Sequence, residues 1–73
     1  MNTRVAKVIE LVGTSPTSWQ DAVEVALREA SRTIRNISGI EVTNQTAEVE
    51  NDRIVGRRVS VKIAFGIERE GEA

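Results

Sequence analysis

The chain has 73 residues with no cysteine and no histidine, and its ten Lys and Arg nearly balance eleven Asp and Glu. That length makes a single domain, 1–73, which buries only about 60–65% of the surface its unfolded form exposes; with disulfides and thiolate or imidazole zinc sites excluded, association is the remaining device for stabilising so small a scaffold. Nucleic acid is not expected as a partner because no basic block is present, no apolar run approaches a bilayer-spanning length, and Met1, Asn2, Thr3 and Arg4 lack the apolar stretch of a signal peptide, so a cytoplasmic location is expected.

Residues 4–12 are mostly β-branched or long and carry apolar side chains on both alternating faces, Val5, Ile9 and Leu11 on one and Ala6, Val8 and Val12 on the other. A strand apolar on both sides is covered on both sides. One side can be served by the chain's own helix, which points to another copy on the second. Gly13 is expected to end the strand and open a loop through Thr17.

The helix is expected to start near Ser18, where Ser18 and Asp21 form a capping-box-like pair and Asp21 suits the positive end of the helix dipole. Val23, Ala26, Leu27, Ala30 and Ile34 recur at spacings of three and four, giving one stripe to pack on a sheet. Ile37, Ser38 and Gly39 end that pattern, with Gly39 able to take a positive φ.

Ile40 and Val42 are then in phase, whereas Ala47 and Val49 fall on odd positions, so a bulge or bend is expected near Asn44 to Thr46. Glu50, Asn51, Asp52 and Arg53 read as a hairpin tip. In the last strand Val55, Val59, Val61, Ile63, Phe65 and Ile67 alternate with mostly polar or small residues, interrupted by Arg57. This strand is expected at the sheet centre, followed by a frayed tail, 68–73. The architecture expected is α+β: β-α-β-β, with a three-stranded antiparallel sheet in order 1-3-2 partly wrapped around one helix.

Catalysis finds little support. Without His, Cys or Tyr, nucleophile-base pairs of the Ser-His or Cys-His type cannot be built. Lys7 and Lys62 are read as snorkelling or ion-paired side chains. Gly13-Thr14-Ser15 joins a strand to a helix but has neither the second Gly nor the Lys of a phosphate-binding loop.

The run Val8-Ile9-Glu10-Leu11-Val12-Gly13-Thr14-Ser15-Pro16, the helix that follows, the pair Glu41-Val42 and the run Val59-Ser60-Val61-Lys62-Ile63-Ala64-Phe65 resemble the dodecin family in order and spacing. The resemblance implies a hollow homo-oligomeric dodecamer. It also implies a flavin site in many members, built on a Trp two residues before the Glu-Val pair and a Gln just before the final apolar run. Gly39 and Arg58 stand at those positions here. Gly39 offers no π face, and Arg58 carries a charge in place of a neutral amide, so flavin storage in the family's usual geometry is disfavoured. Of the two aromatic residues, Phe65 is in phase with the core, and Trp19 either seals the helix start or a subunit contact or stacks on a ligand.

The segment Gly13-Thr14-Ser15-Pro16-Thr17-Ser18-Trp19-Gln20 is similar to a branch of dodecin-like proteins described as calcium-binding. Calcium takes six to eight oxygen ligands, and no single segment supplies them. The nearest cluster is Glu48, Glu50 and Asp52, either a solvated edge that discourages strand pairing or part of a cation site completed by symmetry. The expected function is therefore binding, storage or buffering of a small molecule or cation by a dodecameric shell. The alternatives are flavin binding of altered geometry through Trp19 or Arg58, and a structural module that displays an edge strand or its tail.

Overall fold

The computed structural model describes residues 5–67; Met1, Asn2, Thr3, Arg4 and the tail 68–73 lie outside the described residues. The elements in chain order are β1 (Ala6–Ser15), α1 (Trp19–Ser31), β2 (Ile37–Glu50) and β3 (Arg53–Gly66). The strands form one antiparallel sheet in the order β1-β3-β2, as the long alternating pattern of β3 predicts for a central strand.

β1 runs past Gly13, which was expected to end it. Gly13, Thr14 and Ser15 pair with Val59, Arg58 and Arg57, so the turn begins only at Pro16. Gly13 is there for clearance: a Cβ would lie 2.3 Å from the Ala22 carbonyl oxygen and 3.1 Å from the Ala26 Cβ. The glycine lets the first turns of α1 rest directly on β1.

Ser18 caps α1 as expected, in extended conformation, with its hydroxyl accepting from the Asp21 amide at 2.9 Å. The buried seam of the helix is Ala22, Ala26 and Ala30, packed on Val59, Val61 and Ile63 of β3, while Val23 and Ile34 pack at its margins. Small side chains at a spacing of four bring the helix axis close to the sheet, at the cost of a core half made of alanine. The helix ends at Ser31, earlier than expected. The chain reverses through Asn36 at φ 65°, not through Gly39, which sits inside β2 opposite Ala64. Asn enters the left-handed region more readily than most residues, so no glycine is needed there.

β2 and β3 form a hairpin closed by the pair Glu50 and Arg53. Asn51 (φ 52°) and Asp52 (φ 64°) occupy its two-residue turn, the pair of positive φ values of a type I′ turn. The ladder shifts register between Val42 and Asn44, placing the bulge at Thr43, one residue before the expected stretch. The bulge resolves the change of phase: Val42 pairs with the core residue Val61, and beyond it Gln45 and Ala47 pair with Val59 and Arg57. Side chains facing the helix thus pass from even to odd positions. Two further shifts lie between Ile37 and Gly39, with Ser38 as the extra residue on β2, and between Glu48 and Val49, with Val55 as the extra residue on β3.

The shape is extended. The radius of gyration is 15.6 Å, against about 11 Å for a compact domain of this length. Large apolar side chains are left uncovered: Val8 and Val12 are 56% and 60% exposed on the helix-free side of β1, and Val42 and Val49 are 42% and 62% exposed on β2. Uncovered apolar surface therefore lies on both sides of the sheet, not only on the second side of β1.

Candidate functional site

Two constructions meet where β1 ends and the hairpin begins. The first fixes the helix start. Ser15 is almost fully buried, and its hydroxyl donates to Asp21 Oδ2 at 2.6 Å while accepting from the Thr17 amide at 3.0 Å. The Thr17 hydroxyl also donates to Asp21 Oδ2, at 3.3 Å. A side chain that terminates a strand and satisfies otherwise orphaned amides at a helix start ties the two elements together.

Trp19 completes this anchor. Its indole Nε1 donates to the Thr46 carbonyl at 3.1 Å, and the Arg57 guanidinium stands 5.7 Å over the ring. Arg57 in turn donates to the Pro16 carbonyl. The tryptophan is thus held within its own subunit, spanning from the helix start to β2, with a cation on its open face.

The second construction is a shallow cleft of about 180 Å³ in which Thr14, Ser15, Glu48, Arg57 and Arg58 are set among Pro16, Val55 and Gly56. Gly56 is its floor: a Cβ there would lie 2.8 Å from Glu48 Oε1, so the carboxylate lies across the glycine. Arg58 pairs with Thr14 on one side and Thr46 on the other. The alternation of β3 puts Arg58 on the helix-free face, opposite to Arg57 and Trp19.

Arg58 and Glu48, singled out in sequence for separate reasons, share this cleft. Thr14, Ser15 and Gly56 had not been singled out as site residues; Gly56 could have been, since a glycine inside a strand marks a bulge or a close approach. Gly39 is elsewhere. It pairs with Ala64, six positions along β3 from Arg58, a separation of about 20 Å. One subunit therefore cannot offer both positions to a single ligand.

Glu48 and Glu50 share a face of β2 by alternation, and Asp52 sits in the turn. Among the described residues no three carboxylates converge closely enough to hold one ion, so a calcium site on this cluster requires oxygens from further copies. The helix-free face continues with the cross-strand row Glu10, Lys62 and Glu41. Among the described residues the ion pair is Arg32 with Glu29 on the exposed helix surface, at 3.4 Å, so these sheet charges remain available to other groups. No helix among the described residues is long and apolar enough to cross a membrane.

Comparison with known proteins agrees with this geometry. The Dodecin family model matches residues 5–68. Calcium dodecin of Mycobacterium tuberculosis is 33% identical over 61 residues, which cover 84% of this chain and 86% of the relative. The dodecin of Streptomyces coelicolor superposes with a TM-score of 0.87 at 33% identity, covering 96% of this chain and 100% of that one. The M. tuberculosis calcium dodecin structure, described as calcium chelating with a novel calcium-binding site, gives a TM-score of 0.76 at 30% identity over 94% of this chain and 97% of its own. With the strand order, the single helix and almost the whole described length in agreement, the chain belongs to the dodecin family.

Proposed function

We propose that this chain forms a closed dodecameric shell that binds and buffers a cation or small charged ligand, with calcium the first candidate. The single observation that carries this reading is the replacement of stacking surface by charge. Gly39 presents no aromatic face, and nothing lies within 4 Å of where its side chain would project. The helix-free face instead offers Glu10, Glu41, Lys62 and Arg58 with Glu48 beside them. Charged oxygens repeated by symmetry are what a hard cation takes as ligands.

The similarity to a calcium dodecin supports calcium over other ions. The absence of His, Cys and Tyr supports binding over nucleophilic catalysis. Trp19 is already engaged by Thr46 and Arg57, so ring stacking on it would first have to break those contacts. A cytoplasmic location remains part of the proposal.

Isothermal titration of the assembled protein with calcium and with magnesium tests the reading. Saturable calcium heat that Glu48→Gln together with Glu50→Gln weakens at least tenfold is the expected result. No heat at millimolar calcium, together with quenching of riboflavin fluorescence at micromolar protein, would replace the proposal with a flavin site of altered geometry.

A further inference from the structure

We infer that the cleft between Glu48 and Arg58 takes its cation together with a small oxyanion of the phosphate class, which bridges the ion to the arginine. The inference rests on calcium being bound as proposed above and names the co-ligand that it arrives with.

Glu48 pairs with Gly56, and Arg58 stands two residues further along β3, opposite Thr46. The two charged side chains share the helix-free face as diagonal neighbours, about 7–8 Å apart at the backbone and within reach of each other. They nevertheless do not pair: among the described residues the ion pair is Arg32 with Glu29. Glu48 is folded down over β3, its Oε1 2.8 Å from where a Gly56 Cβ would lie, while Arg58 has Thr14 and Thr46 as its cross-strand neighbours. A negative and a positive pole thus line one cleft without neutralising each other.

Neither pole is sufficient for calcium. One carboxylate supplies at most two of the six to eight oxygens the ion takes, and a bare cation beside Glu48 faces a like charge on Arg58. An oxyanion between them reverses the sign of that interaction. Its oxygens fill part of the calcium shell and accept from the guanidinium fork, whose geometry matches phosphate. Thr14 adds a hydroxyl to the same lining. The cleft of about 180 Å³ is many times the roughly 10–15 Å³ that one water needs by the same measure, so ion, anion and the remaining waters fit together.

Isothermal titration of the assembled protein with calcium, in chloride buffer and again with ~1 mM phosphate at equal ionic strength, should show calcium affinity raised about fivefold or more by phosphate. Calcium should raise phosphate affinity by the same factor, because coupling between two ligands is reciprocal. Arg58→Gln should lose that gain while binding calcium alone as well as the native protein or better, with the sedimenting mass unchanged. Calcium affinity indifferent to phosphate, or an equal gain in Arg58→Gln, would overturn the co-ligand and leave the calcium site standing. No calcium heat with or without phosphate would overturn both.

Discussion

Gly13→Ala tests the close seating of helix on sheet. The added Cβ would lie 2.3 Å from the Ala22 carbonyl oxygen, where ordinary contacts are 3.4–4 Å. The obstructing atom is backbone in the first turns of α1, so no rotamer change relieves it. The helix must lift by about 1 Å, which loosens Ala22, Ala26 and Ala30 from Val59, Val61 and Ile63 and forfeits much of the dispersion energy of contacts that short. Overpacking of this kind costs about 1–3 kcal/mol, and a backbone obstruction belongs at the upper end. For a domain of this size each kcal/mol moves the melting temperature by about 4–8 °C, so a fall of about 10–20 °C is expected. Melting must be compared at equal protein concentration because association contributes to apparent stability. A change of less than about 0.5 kcal/mol, the range of neutral surface substitutions, would refute the assignment of Gly13 as a clearance residue.

Three further substitutions separate structure from binding. Trp19→Phe removes the donor to the Thr46 carbonyl and weakens the surface under Arg57; chemical denaturation should show a loss of about 1 kcal/mol with calcium binding unchanged. Gly56→Ala meets only the flexible end of Glu48, so melting should hardly move while the displaced carboxylate lowers calcium affinity severalfold in titration. Gly39→Trp projects into open space, so it should leave the sedimenting mass unchanged and raise riboflavin quenching above that of the native protein.

The elements were legible because local chemistry and tertiary need agree in them. The Ser18 cap, the Asn51-Asp52 turn and the alternation of β3 each follow a local rule that the fold obeys, and the change of apolar phase along β2 demanded the bulge found at Thr43. The return half of the expected Ser18-Asp21 box is not made, because the Ser18 amide donates to the Ser15 hydroxyl and Asp21 accepts from Ser15 and Thr17. The misreadings share a cause. Gly13 and Gly39 were both read as breakers because glycine permits a turn, but Gly13 is in a strand to admit a helix and Gly39 lies in a strand beside open space. Neither a close approach between elements distant in sequence nor an empty volume has a local signature.

The candidate site was legible only in pieces. Arg58 and Glu48 come together through the β2-β3 register, which three shifts along the ladder make unreadable from spacing alone. The distance between Gly39 and Arg58 has the same origin. Positions that the family resemblance assigns to one pocket lie far apart on one subunit and can meet only across an interface, which a single chain's sequence does not display.

Sedimentation velocity with circular dichroism over a dilution series tests most directly the claim that this chain cannot cover its apolar sheet surfaces alone. A single species of roughly twelve times the 8.0 kDa subunit mass is expected, with secondary structure and assembly lost together on dilution. A well-folded single subunit that persists at the lowest concentration would contradict it.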